Sequence, residues 1–266
     1  MRHGDVPAVA DADPLLVGGS DPEGHAGGLA DQLAARAEDV WCQAQPPNDP
    51  PHLSFSRLEA KITDVMGLYL HPPANAVVVC VDEKSQVQAL ERTQPILPMR
   101  PGILERQTHD CARHGVTCLF AALNTATGEV TDACYPRHRH QEFLKFLKKV
   151  AAAYPAQELH VVCDNYSTHK HAEVKAWLVK NPRITLHFTP TGYSWLNLVE
   201  CFFSIITRQA IRRGSFTSVK QLVATIGAFI DDWNDHPRPF TWTKDAGEII
   251  SKINCAKTKT SGLTEH

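Results

Sequence analysis

The feature that most restricts the fold is a run of six apolar residues, Ala76–Val81, which ends at Asp82. A strand that is apolar at every position has both faces buried, which is typical of a central strand in a sheet covered by helices on both sides. A second largely apolar run, Leu159–Cys163, ends in the same way at Asp164. The sequence therefore predicts two buried strands, each followed directly by an aspartate.

Hydrophobic periodicity predicts the elements around these two strands. They are, in order, helix 55–69, strands 76–81, 116–123 and 130–135, helix 141–152, strand 159–163, helix 172–179, strand 184–188, and helices 196–211, 219–233 and 246–253. The first three strands are predicted to connect as hairpins and the later ones through helices. This order predicts an α/β fold with a mixed sheet flanked by helices. It is the element order of the ribonuclease H-like fold.

Composition divides the chain into three parts. Residues 1–52 are rich in Gly, Ala, Asp and Pro, and we expect a disordered acidic extension with one short helix at 29–41. Residues 53–255 form the predicted folded domain, and 256–266 a flexible tail. The first 50 residues have nine acidic and two basic side chains, a net charge of −7, whereas the remainder has 20 and 25, a net charge of +5. A charge of +5 favours a DNA partner only weakly, because a solvated surface also explains it.

Two further patterns bear on location and redox state. No run of about 18 apolar residues occurs, so we expect no membrane-spanning helix and a cytoplasmic protein. The eight cysteines lie largely in apolar runs, which favours buried, reduced thiols over disulfides. One cluster, His109, Cys111, His114 and Cys118, has the residue types of a zinc site but not a familiar spacing, so we disfavour zinc there.

Three carboxylates are candidates for one metal site. Asp82 and Asp164 follow buried strands, where ligands bind in sheets of this kind. Glu200 borders the apolar face of helix 196–211, where a carboxylate needs a cation or hydrogen bonds. Mutual repulsion of such groups is relieved by an oxygen-ligated divalent ion, Mg²⁺ or Mn²⁺. A structural explanation stays open for each residue. Asp82 and Asp164 could be acidic residues that end strands at the protein surface, and Glu200 could be a glutamate at the rim of the core.

Four segments of the sequence form recognisable motifs: Cys80–Ser85, Pro136–His140, Asp164–Lys170 and Ser194–Glu200. Together they resemble the motifs of one family, the bacterial insertion-sequence branch of the mariner superfamily of DDE transposases. The resemblance covers residues 55–253, and 35 residues separate Asp164 from Glu200, close to the usual interval in this family.

The resemblance implies a DNA endonuclease and strand transferase with Asp82, Asp164 and Glu200 as catalytic residues and ligands of two metal ions. It also implies cleavage at transposon ends, joining of the 3′-OH to a TA target in double-stranded DNA, a homodimer and a nucleoid location. Residues 1–52 show no helix-turn-helix pattern, so the resemblance is to an N-terminally truncated member. A decayed remnant that only binds DNA or dimerises is the alternative.

Several other side chains are candidate DNA contacts, each with a structural alternative. Arginines can grip phosphates, and an aromatic ring can stack on a base. Solvent exposure, helix capping or packing explains the same residues equally well. The set comprises Arg137, Arg139, His169, Trp195, Arg208, Arg212 and Arg213.

Overall fold

The computed structural model describes residues 55–92 and 111–261. The expected extension at 1–52, its helix at 29–41, His109 and residues 262–266 lie outside the described residues. The helices are α1 (Phe55–Leu70), α2 (His140–Ala153), α3 (Ala172–Val179), α4 (Val199–Ile206), α5 (Val219–Asp235) and α6 (Ala246–Ser261). The strands are β1 (Ala76–Arg92), β2 (Cys111–Asn124), β3 (Val130–Tyr135), β4 (Glu158–Cys163) and β5 (Ile184–Phe188).

The strands form one five-stranded sheet in the order β3-β2-β1-β4-β5. β1 and β2 are antiparallel, as are β2 and β3, whereas β4 is parallel to both β1 and β5. The predicted mixed sheet and its ribonuclease H-like topology are therefore confirmed. In β1, every residue from Val78 to Asp82 is buried, as the continuous apolar run predicts.

Alternation along β1 divides the core into two layers. Val78 and Cys80 pack with residues of α1, α4, α5 and α6, whereas Val79 and Val81 pack with residues of α2 and α3. The sheet is thus covered by helices on both sides. Within the described part of the chain, no helix has the length and apolar character needed to cross a bilayer.

Two predicted boundaries are wrong at positions that matter for the site. β1 does not end at Val81 but continues to Arg92, because it pairs with β2 over its length, with irregular register between Lys84 and Val87. The predicted helix 196–211 is broken. It consists of a 3₁₀ turn at Ser194–Leu196, an extended Asn197, α4, and a π-helical turn at Thr207–Ile211. The last helix also extends past residue 255, where the tail was expected.

The cysteine prediction holds only in part. The described cysteines are free thiols, and Cys80, Cys118 and Cys163 are buried. Cys111 is exposed, however, because the first part of β2 extends beyond the core. The structure does not support a zinc site in this segment, because two of its members have other partners. His114 pairs with Glu91 at 2.7 Å, and Cys118 contacts His138 at 3.5 Å.

Candidate active site

β1 and β4 bring two of the predicted carboxylates to one edge of the sheet. The strands are parallel with Cys80 opposite Val162, so Asp82 and Asp164, two residues further along each strand, lie side by side. Asp164 directly follows β4, as predicted, whereas Asp82 lies within β1. Glu200 is in the first turn of α4, which places the carboxylate near the positive end of the helix dipole.

The charges of the three carboxylates act on one another, as expected for side chains that lie near each other. Burial raises the pKa of Asp82 well above its ordinary value, and the negative charges of Glu200 and Asp164 raise it further. Burial also raises the pKa of Glu200; Lys84 opposes this effect and Asp164 adds to it. Within the described residues, no lysine or arginine forms a salt bridge with any of the three. These three side chains, called the carboxylate site below, carry a surplus of negative charge.

Asn197 fixes the position of Asp82, a role that the sequence reading missed. Asn197 is fully buried, and its amide nitrogen donates to the Val81 carbonyl at 3.0 Å and to Asp82 Oδ2 at 3.3 Å. The other carboxylate oxygen, Oδ1, accepts the Glu83 N–H at 2.8 Å. Asn197 Oδ1 has no hydrogen-bond partner within the described structure, so it is one more acceptor in a region rich in acceptors.

His169 fixes the position of Asp164 from the opposite face of β1. The imidazole is buried, with Nδ1 at 2.9 Å from Asp164 Oδ1 and Nε2 at 3.3 Å from Glu83 Oε2. Its ring centroid is 4.0 Å from that of Phe143. The side chains of Asp82 and Glu83 therefore point to opposite sides of β1, as strand alternation predicts.

Burial alone would lower the pKa of His169, but hydrogen bonds to Asp164, Cys163 and Glu83 outweigh burial and raise it to about 12. For Asp164, burial would raise the pKa, and the hydrogen bond and charge of His169 lower it instead. Both groups are therefore charged near neutral pH. Both ring nitrogens face protein carboxylates, and a contact of His169 with DNA stays a prediction.

The donor set of the carboxylate site fits a divalent cation of the Mg²⁺ or Mn²⁺ type. Three carboxylates offer oxygen ligands only, which these ions prefer. The raised pKa of Asp82 and Glu200 reflects a charge conflict that a cation would relieve.

Comparison with known families agrees with this geometry. Residues 77–223 match the family described as DDE superfamily endonuclease, which is more than half of the chain and includes all three carboxylates. The chain belongs to this family.

A curated relative of this DDE endonuclease is the "Insertion element IS630 uncharacterized 39 kDa protein" of Shigella sonnei. The two are 28% identical over 120 residues, which cover 45% of this chain and 35% of the relative. The chain thus matches about a third of the length of that protein.

Two solved structures resemble the DDE endonuclease. One is a Mos1 transposase paired-end complex with left transposon end, with a TM-score of 0.49, 13% identity, and coverage of 94% of this chain and 82% of that chain. The other is the HTLV-2 integrase catalytic core domain in complex with magnesium, with a TM-score of 0.42, 14% identity, and coverage of 66% and 96%.

The predicted DNA contacts of the DDE endonuclease occupy different environments. Arg137 and Arg139 line a cavity of about 540 Å³ together with Tyr166 and Thr168, and Arg139 also pairs with Glu142 at 2.7 Å. Trp195 is half-buried and stacks on Trp242 with ring centroids 6.4 Å apart, which favours the packing alternative.

Three further arginines lie beyond α4. Arg208, Arg212 and Arg213 are exposed at and just after the π-helical turn. The Arg208 Nε–H donates to the Ser204 carbonyl at 3.3 Å, and the Arg212 carbonyl accepts from Arg92. Their exposed positions leave them available to a phosphate backbone.

Replacing Asn197 by alanine is expected to cost about 1–3 kcal/mol of unfolding free energy, because it removes a buried donor from two acceptors. The variant should also nick supercoiled plasmid more slowly per folded molecule, since Asp82 is no longer held. Denaturant unfolding and a Mg²⁺-dependent nicking assay measure the two effects.

Asn234→Ala is the matched control, because Asn234 also bridges backbone groups, both of Val130, but does so away from the carboxylates. It should lose stability and keep its nicking rate. Equal loss of nicking in both variants would show that Asn197 acts only through stability.

Without metal, stability should fall as pH rises above about 4, the ordinary pKa of a carboxyl group. The raised pKa values of Asp82 and Glu200 give stability that is present below their unfolded values and is lost as pH rises through the folded ones. His169 contributes in the same direction above about pH 6.5, while the lowered pKa of Asp164 leaves it ionised throughout. Thermal unfolding with a chelator or with Mg²⁺ tests this: the ion should restore stability mainly at the higher pH. A flat chelator profile would contradict the charge conflict.

Proposed function

We propose that this chain is the catalytic part of a cut-and-paste transposase, and that Asp82, Asp164 and Glu200 are its catalytic residues. The observation that carries the proposal is the meeting of three carboxylates at one sheet edge, where none of the three forms a salt bridge with a lysine or arginine of the described residues. Membership in the DDE endonuclease family and the match to an insertion-element protein support it.

Asp82, Asp164 and Glu200 would together hold two divalent ions. When bound, the ions supply Lewis-acid activation of the attacking oxygen and neutralise charge at the scissile phosphate. Asn197 holds the Asp82 carboxylate in one orientation through Oδ2. His169, charged and buried, holds Asp164 through Oδ1 and leaves Oδ2 for a ligand.

The substrate is double-stranded DNA. In the cutting reaction a water oxygen attacks a phosphodiester and a 3′-OH is released. In the joining reaction that 3′-OH oxygen attacks a target phosphodiester at a TA step, and a target 3′-OH leaves with a proton. Exposed Arg137, Arg208, Arg212 and Arg213 are positioned to contact the DNA backbone, where arginine pairs well with phosphate.

We also propose that the active form is a homodimer, because transposition must act on two element ends. Light scattering of the chain with and without duplex DNA tests this. A monomer under both conditions would contradict it.

The joining reaction is the sharpest test of the proposal. The chain is incubated with Mg²⁺ or Mn²⁺, supercoiled plasmid and a labelled duplex that has a free 3′-OH. We expect covalent transfer of the label to the plasmid, with sequenced junctions at TA. A duplex with a 3′-deoxy end is the matched control and should give no transfer. Plasmid nicking without joining would reduce the proposal to a nuclease, and DNA binding with neither reaction would favour a decayed remnant.

A further inference from the structure

A second cluster of metal-ligating side chains lies outside the carboxylate site. His140 is the first residue of α2, His171 caps the start of α3, and Glu173 is in the first turn of α3. One potential ligand atom from each lies within 4.8 Å of the other two. These three residues are called the histidine cluster below.

The distances within the histidine cluster suit a small tetrahedral ion. His140 Nε2 is 3.5 Å from Glu173 Oε1. Two ligands of one tetrahedral zinc ion, with bonds of about 2.0–2.1 Å, are separated by about 3.3 Å. The imidazoles of His140 and His171 are stacked with centroids 3.5 Å apart and planes inclined by 16°. Glu173 and His140 are thus separated by nearly the distance expected for two ligands of one zinc ion, and the ring of His171 is in contact with that of His140.

The charges in the histidine cluster also favour a cation. A neutral imidazole offers a nitrogen lone pair to a metal ion, and the Glu173 carboxylate offers negative charge. The Glu173 carboxylate is largely exposed, with 59% of its side-chain surface accessible, and the His140 side chain is 23% accessible, which leaves a path from solvent. The nearest arginine in sequence, Arg139, is already paired with Glu142 at 2.7 Å.

We propose that His140, His171 and Glu173 bind one Zn²⁺ ion, with a water molecule as the fourth ligand. Two imidazoles and a carboxylate are a known zinc ligand set, whereas Mg²⁺ and Mn²⁺ prefer the oxygen-only carboxylate site. Because the rings are nearly parallel, one of them must turn out of the stack to share an ion. The 3.3 Å hydrogen bond from the Glu173 N–H to His171 Nδ1 is long, so little is lost if that ring moves.

Bound zinc would join α2 to α3 on either side of the segment 164–170, which carries Asp164 and His169. The ion would thus brace the candidate active site without taking part in the reaction. This inference stands independently of the proposed function, because it concerns binding and stability only.

Zinc binding by the full chain tests the inference. The chain is stripped with a chelator, supplied with excess Mg²⁺ to fill the carboxylate site, and titrated with Zn²⁺ against a chromophoric zinc indicator. We expect His140→Ala and His171→Ala each to bind one Zn²⁺ fewer than the wild type, or to bind it at least about tenfold more weakly. Zinc should also raise the midpoint of thermal unfolding in the wild type and not in these variants.

The matched control is His71→Ala, since His71 is an exposed histidine outside the cluster, and it should bind zinc like the wild type. Glu173→Gln removes only the charge of the exposed carboxylate, and it should also weaken Zn²⁺ binding. This variant keeps the experiment decisive if a histidine variant fails to fold. The inference would be overturned if Glu173→Gln and the folded histidine variants bound zinc with the same stoichiometry and affinity as the wild type. A wild-type chain that binds no zinc would also overturn it.

Discussion

Asp82→Asn is expected to slow Mg²⁺-dependent nicking of supercoiled plasmid by at least about 10²–10³-fold, the scale on which loss of one transition-state stabilising group is felt. Asparagine keeps the size of the side chain and can still meet the Glu83 N–H and Asn197. It cannot contribute the negative charge that a carboxylate would give to a bound metal ion. Asp164→Asn and Glu200→Gln should have similarly severe effects.

The same substitution should change stability in the opposite direction. Because Asp82 is buried and repelled by three other carboxylates, Glu200, Asp164 and Glu83, neutralising it should stabilise the metal-free fold near pH 8. Loss of nicking together with a raised unfolding midpoint would separate catalysis from folding. Asp232→Asn, at an exposed position in α5, is the control and should change neither. An Asp82→Asn variant that still nicks at the wild-type rate would remove Asp82 from the mechanism.

His169→Ala is expected to lower the unfolding free energy by about 2–4 kcal/mol. Removing one partner of a buried ion pair costs about 3–5 kcal/mol; the value here is reduced because water reaches part of Asp164, whose side chain is 36% accessible. A cavity beside Phe143 adds to the loss. Denaturant unfolding measures the effect, and nicking should fall because Asp164 loses its support.

His169→Gln separates the two roles of this side chain. Glutamine can donate one hydrogen bond to Asp164 but carries no charge, so it should recover part of the stability and part of the nicking rate. His71→Ala, at an exposed position, is the control and should change neither the stability nor the nicking rate. A His169→Ala variant as stable as the wild type would show that the buried pair contributes nothing.

The fold could be predicted because its central strands are recognisable in the sequence. Runs that are apolar at every position, such as Ala76–Val81, have few alternatives to a sheet covered on both faces. The continuation of β1 to Arg92 could not be predicted, because residues 83–92 are largely polar and their strand conformation depends on pairing with β2. Tertiary pairing there outweighed local sequence preference.

The carboxylates of the site could be placed from sequence, but the residues that hold them could not. Asn197 interrupts what periodicity predicts as a continuous helix, and its bonds to β1 join positions more than 100 residues apart in the chain. Glu83 was not among the candidate site residues, yet it faces His169 on the side of β1 opposite to Asp82. The one indication in the local sequence was the polar Asn197 within an apolar helix face, because a buried amide needs hydrogen-bond partners.

Metal binding by the carboxylate site is the most direct test of the central claim. Binding of Mn²⁺ is measured by the loss of the free-ion electron paramagnetic resonance signal, for the wild type and for Asp82→Asn, with Asp232→Asn as control. We predict that the wild type and the control bind Mn²⁺ alike and that Asp82→Asn binds it at least about tenfold more weakly. Equal Mn²⁺ binding by all three proteins would contradict it.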